Sequence, residues 1–246
     1  MIFYIYGTDA YLCREKLEEI KKGFVEKKDK AGFNVINLNS ENINFDSFSQ
    51  EALTVPFLSE KKLIVINDLC ADNRAGQKKI REEIHGFLKE REDKIDNNLL
   101  FIDVFEDEKK LPKKDKLFDF LKKQKYSWQL STLKNNQLAT WIKKYATKNK
   151  IDISPAGVSE LIVLVGNDLL QMASELNKLK AYKNGETINP EDVKNLVKAK
   201  YDNDIFRLTD ALANKDKKLS LKLIADQLNS GNEPLSLLGS INWQFK

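Results

Sequence analysis

Cysteine, proline, glycine and histidine are all scarce in this chain of 246 residues, at two, five, ten and one. So few prolines and glycines leave no room for a long flexible linker or a low-complexity tract. Cys13 and Cys70 stand far apart, with no further cysteine or histidine at ligand spacing. That excludes a disulfide framework and a zinc site of recognisable spacing. No apolar stretch approaches the roughly 18 residues that a membrane-spanning helix requires. The opening MIFYIYGTDAYL has neither a basic segment ahead of its apolar run nor a small-residue cleavage site. It reads as a first strand rather than a signal peptide, and a cytoplasmic location is the expectation. Charge of one sign is missing too: 41 basic against 37 acidic residues leave +4. Without clustering, so mild an excess does not demonstrate nucleic-acid binding.

What is present is a globular composition, 41% hydrophobic and 32% charged. The first half alternates β-rich runs with helical periodicity, the pattern of a parallel sheet covered by helices. Strands are expected at Ile2–Tyr6, Phe33–Leu38, Leu63–Asn67, Leu99–Val104 and Ser127–Leu130. Helices are expected at Ala10–Lys28, Phe45–Leu53, Arg74–Lys89 and Lys114–Lys123. From Asn135 onward every segment has helical spacing. Leu138, Trp141, Ile142 and Tyr145 form one stripe, and Ser154 with Pro155 opens a helix that Gly166 ends. Asn167 then starts a helix with Leu170, Ala173, Leu176 and Leu179 inward, and Asn189 another with Val193, Leu196 and Val197 inward. A last set places Phe206, Leu208, Ala211 and Leu212 ahead of helices over 219–228 and 234–245, with Leu237, Leu238, Ile241 and Phe245 apolar. The final amphipathic helix has little to pack on, as in a truncated bundle.

A parallel α/β unit followed by a small helical one is the layout of nucleotide-driven ATPases. A phosphate loop needs G-x-x-x-x-G-K-[ST], so that consecutive backbone N–H groups curl around the phosphates and a Lys reaches them. Here Gly7 is followed by Thr8, Asp9, Ala10, Tyr11, Leu12 and Cys13, with no second Gly and no Lys-Ser or Lys-Thr. Asp9 also sets negative charge where a phosphate would sit. No ATP site, no cofactor and no metal are expected. Asp103 with Glu106, Asp107 and Glu108 resembles a magnesium-holding acidic pair, but with no phosphate loop a solvated acidic turn is the simpler reading. His85 lies on a charged helix without a nucleophile beside it. Lys109, Lys110, Lys113, Lys114, Lys116, Lys122, Lys123 and Lys125 are interleaved with acids, the pattern of a solvated face more than of a DNA site.

The segment Leu53-Thr-Val-Pro-Phe-Leu-Ser59 stands apart. Pro56 fixes its own φ and disfavours helix in the residue before it, so Phe57 and Leu58 fall in a connection rather than on a core-facing stripe. Either they fold back to cap the sheet, or they project as a protein-binding wedge.

FYIYGTDAYL, TVPFLSEKKLIVI, GNDLLQMASELNKLKAY, NPEDVKNLV and NDIFRLTDALANKDKKLSLKLIADQLNSGNEPLSLL follow one another in the order seen in a known family. The chain resembles the delta subunits of the bacterial DNA polymerase III clamp loader over its whole length. The resemblance implies an AAA+-type α/β domain without a phosphate loop (1–134), a helical lid (135–202) and the start of a helical collar (203–246), incomplete relative to family members. It implies a non-catalytic subunit of the polymerase holoenzyme that binds the sliding clamp (beta subunit) and helps open its ring. Its partners would be the gamma/tau ATPase subunits and delta-prime, with primed DNA reached through the complex. In related ATPases an Arg shortly after the lid-helix glycine contacts nucleotide, and Leu169 holds that place here. The clamp-contacting pair corresponds to Phe57 and Leu58, with Leu53 a third contact. The order is Phe then Leu, where relatives usually have Leu then Phe.

Overall fold

Five runs rich in β-branched and aromatic residues pair into one sheet: β1 (Ile2–Gly7), β2 (Val35–Asn39), β3 (Leu63–Asn67), β4 (Asn98–Val104) and β5 (Tyr126–Leu130). All pairings are parallel, in the order β2-β3-β4-β1-β5. Parallel neighbours cannot be joined by tight turns. Helices α1 (Ala10–Lys28), α2 (Phe45–Leu53), α3 (Gln77–Arg91) and α4 (Lys116–Lys122) lie in the connections. The computed structural model describes residues 1–91, 94–198, 208–229 and 234–244.

Alternation along each strand sends neighbouring side chains to opposite faces. Tyr4, Tyr6, Ile64, Ile66, Leu99 and Phe101 pack with Phe48, Ile84, Leu88 and Phe118 of α2, α3 and α4. On the other face, Ile5, Leu63, Val65, Leu100 and Ile102 pack with Cys13, Leu17 and Phe24 of α1. A strand covered on both faces must be apolar throughout, which is why LLFI of β4 and LIVI of β3 show no alternation.

Helix ends follow local chemistry. Asp9 caps α1, its Oδ1 accepting from Leu12 N–H at 3.0 Å. α3 begins at Gln77 rather than Arg74, because Gly76 sits at φ 92 and Arg74 is held by Asp72, Nε to Oδ1 3.0 Å. β2 begins at Val35, which leaves Phe33 in the preceding turn.

The chain divides into two compact units, Met1–Thr132 and Leu133–Lys246. The second contains α5 (Asn135–Lys148), α6 (Pro155–Val165), α7 (Leu169–Lys183), α8 (Pro190–Leu196), a helical stretch α9 over 208–213, α10 (Lys217–Asn229) and α11 (Pro234–Gln244). Among the described residues it holds no strand, only an isolated bridge between Ile153 and Ile188. Ser154 Oγ accepts from Gly157 N–H and donates to the Ile188 carbonyl, both at 3.1 Å. α7 departs from the sequence expectation by one residue: Asp168, not Asn167, is the N-cap, accepting from Gln171 N–H at 3.0 Å. The inward face therefore carries Leu169, Met172, Ala173, Leu176 and Leu179, while Leu170 is exposed. Leu208, Ala211, Leu223 and Leu237 form a separate cluster, and Leu238, expected to pack, is exposed. Phe206, Phe245 and the boundary expected at 202/203 lie outside the described residues.

Candidate functional site

In a parallel sheet with helical crossovers, segments that follow strands gather at one edge and segments that precede strands at the other. Ligands of such folds bind outside the carboxyl ends of the strands. At that edge the turn after β1 is closed by the neighbouring strand. Thr8 and Asp9 N–H both donate to the Leu130 carbonyl, at 3.1 and 3.2 Å, and Phe105 N–H donates to Gly7 O at 2.9 Å. A Cβ on Gly7 would stand 1.9 Å from Leu130 O, so β5 lies against the place a phosphate would fill. The Asp9 carboxylate is engaged by its own helix.

Asp103 corrects the expectation of a solvated acidic turn. It is the penultimate residue of β4 and buried, and its Oδ1 accepts from Cys70 N–H at 2.7 Å and Ala71 N–H at 3.0 Å. Burial pushes its carboxyl up to about 6, against the pull of those two N–H bonds. Glu106, Asp107 and Glu108 are exposed as expected, with Glu106 paired to Lys110. His85 is half-buried with its ring edge-on to Phe120, and Leu169 belongs to the helical core. All eight lysines from Lys109 to Lys125 are exposed, and Lys122 lies over the Phe118 ring. Among the described residues no three His, Cys, Asp or Glu side chains are grouped to hold a metal.

The opposite edge is built differently. β2, β3 and β4 are neighbours, so the residues just before β2 and β4 flank the connection that enters β3. Asn34, before β2, is buried and grips that connection: Phe57 N–H donates to Asn34 Oδ1 at 2.7 Å, and Asn34 Nδ2 donates to the Phe57 carbonyl at 2.8 Å. Asp29, also buried, orients the amide by accepting from Asn34 N–H at 2.7 Å and from Nδ2 at 3.0 Å. Asn97, before β4, does the same from the other side. Its Nδ2 donates to the carbonyls of Ala52 and Thr54 at 3.1 and 2.9 Å, and its Oδ1 accepts from Lys62 N–H at 2.9 Å. Ser59 Oγ donates to the Lys28 carbonyl at 2.7 Å, and Lys28 pairs with Glu60.

These bonds hold the loop through its backbone at Phe57, Thr54 and Lys62 and through the polar side chains of Ser59 and Glu60, so its large apolar side chains are not what anchors it. Phe57 is 64% exposed and Leu58 89%, and Leu53 and Val55 are exposed as well. Leu58 sits at φ 51, a left-handed conformation that a bulky residue rarely adopts, with no packing of its own to hold it there. The structure thus places all three sequence-chosen residues, Leu53, Phe57 and Leu58, on one loop edge in solvent. Sequence reasoning missed Val55, the anchors Asn34, Asp29 and Asn97, and Phe33, whose exposed ring meets the Phe57 ring edge-on at 6.4 Å. The available signal was an Asn immediately ahead of β2 and of β4, Asn34 and Asn97.

The family described as DNA polymerase III, delta subunit, matches residues 3–130, more than half of the chain. The chain belongs to that family. A further family match, described as a middle domain, covers residues 134–195 of this delta-family chain. The curated "DNA polymerase III subunit delta" of Bacillus subtilis is 25% identical over 249 residues, spanning 100% of this chain and 70% of that protein. A solved structure of a Bacillus subtilis DNA clamp loader delta protein superposes with a TM-score of 0.68 at 21% identity, covering 99% of this chain and 72% of the other. The RuvB Holliday junction branch migration motor of Thermotoga maritima shares the fold at a TM-score of 0.54 and 12% identity, over 92% of this chain and 76% of its own. The delta-family chain therefore has an AAA+-like fold. Its Asn34 and Asn97 anchors and all five strands, save Ile2 at the start of β1, lie within the matched residues 3–130.

Proposed function

We propose that this clamp-loader delta subunit binds the DNA sliding clamp through the loop before β3, with Phe57 and Leu58 as apolar anchors and Leu53 beside them, and so helps to open the ring. The observation that carries the reading is the loop itself, whose backbone is held by Asn34 and Asn97 while its large side chains remain in water. Such a loop is ordered before it binds, which lowers the entropy lost on association. Burying two side chains of this size contributes roughly 3 to 6 kcal/mol before ordering costs, enough for a meaningful grip on a ring interface.

The chain supplies binding and no chemistry in this reading. The N–H groups of Thr8 and Asp9 are engaged by the Leu130 carbonyl, and buried Leu169 stands where the resemblance places the nucleotide-contacting arginine of related ATPases. Energy for loading then comes from ATP on the gamma/tau subunits, with delta-prime and primed DNA completing the assembly. Titration of Mg-ATP into the chain gives no saturable heat, and micromolar binding would refute this part. For the loop, Phe57→Ala with Leu58→Ala weakens binding to the sliding clamp by at least about thirtyfold, the equivalent of about 2 kcal/mol, in a calorimetric or surface-binding assay. Thermal stability scarcely changes. A sharp loss of stability with clamp binding intact would make the pair core and end the assignment.

A further inference from the structure

Large apolar side chains exposed in the unit Met1–Thr132 are not scattered. Among the described residues they are Met1, Phe33, Leu53, Val55, Phe57 and Leu58, and every one precedes a strand, at the same edge of the sheet. Scattered single exposures are ordinary, whereas contiguous ones mark interaction surfaces. Phe33 comes from a different loop, the turn between α1 and β2, closed by Gly32 N–H to the Asp29 carbonyl at 2.8 Å. It is 66% exposed, and its ring meets the Phe57 ring at 67° between planes. The residue after it, Asn34, is the one that holds the Phe57 backbone by both its N–H and its carbonyl. Phe33 and Phe57 are thus two exposed rings on two loops tied together by one buried side chain.

We infer that the clamp-contacting surface is a two-loop surface, with Phe33 as its second aromatic contact, packed against the same part of the sliding clamp as Phe57. The inference rests on the function proposed above and adds a residue that lies outside the loop before β3. The occupant follows from continuity: a pocket that covers the Phe57 ring removes water from the edge where Phe33 meets it. Aromatic side chains at the centre of an interface carry a large share of its affinity, and rings in contact do so jointly.

The test is a double-mutant cycle on the full chain against the sliding clamp, read as dissociation constants, with Phe33→Ala, Phe57→Ala and both together. Phe33→Ala is expected to weaken binding by at least roughly fivefold, and the same change in the Phe57→Ala background by clearly less, because the two rings act as a unit. The denaturation midpoint of Phe33→Ala stays at the wild-type value, since the ring is outside the core. If Phe33→Ala binds like wild type while Phe57→Ala with Leu58→Ala fails, the two-loop inference falls and the clamp reading stands. If neither Phe33→Ala nor the Phe57, Leu58 double variant changes clamp affinity, both fall.

Discussion

The two edges of the sheet solve the same problem with opposite results. At the edge where strands end, the turn after β1 gives its N–H groups to the Leu130 carbonyl, and Asp103 accepts from Cys70 and Ala71. At the edge where strands begin, Asn34 and Asn97 hold the loop before β3. Both edges bond buried backbone groups, as buried polar groups require. At the first, backbone bonds strand to strand and the site is filled. At the second, buried side chains just ahead of the flanking strands do much of the holding, and the loop's large apolar side chains stay in water. The difference teaches that one sheet can close the edge where ligands of such folds bind and leave apolar side chains exposed at the other.

Breaking the closed edge has the largest effect. Gly7→Ala drives a Cβ into the Leu130 backbone, 1.9 Å from its carbonyl oxygen, and strains the bonds from Thr8 and Asp9. Overpacking plus lost hydrogen bonds is expected to lower the unfolding free energy by about 4 kcal/mol, read by urea denaturation. A loss below about 1 kcal/mol would show that β5 withdraws easily and that the turn is not closed by it.

Asp103 gives the next effect, and its sign is set by burial. The folded carboxyl titrates at about 6, above the ordinary carboxylate value, so between roughly pH 4 and 6 the folded state holds a proton that the unfolded state has lost. Stability from this group is full below that window and falls as pH rises through it, by roughly 3 kcal/mol, then levels off. Asp103→Asn keeps an acceptor for Cys70 and Ala71 but has no proton to lose. Unfolding at pH 4.5 and 7 should show the variant gaining on wild type at the higher pH. A constant difference between the two would mean that the buried carboxyl does not titrate in this range.

The smallest effect sharpens the contrast at the open edge. Leu58→Gly removes the strain of φ 51 and is expected to raise the unfolding free energy by about 0.5 kcal/mol while weakening clamp binding. Stability and affinity moving in opposite directions is the signature of a residue held for a partner. Both falling together would place Leu58 in the fold's own packing.

Much of this was legible in the chain. The apolar runs LIVI and LLFI, the caps Asp9 and Ser154, and the break at Pro56 are local signals, and they set the strands, the helix starts and the loop that carries Phe57 and Leu58. The slip on α7 was local too: Asn and Asp both cap well, and only packing decided that Asp168 starts the helix and turns Leu169 inward.

Order of strands is not written in any local pattern. It is decided by which hydrophobic faces can be covered together, and it alone sets Asn34 and Asn97 on either side of the start of β3. The same order brings Phe33 against Phe57 and carries Asp103 out of water beside Cys70. Sequence by itself determined the elements and the loop that carries Phe57 and Leu58, because periodicity and turn chemistry act over a few residues. Tertiary structure decided what holds that loop, which exposed ring lies against Phe57 and which edge is closed, because those depend on segments that only the sheet brings within hydrogen-bonding distance.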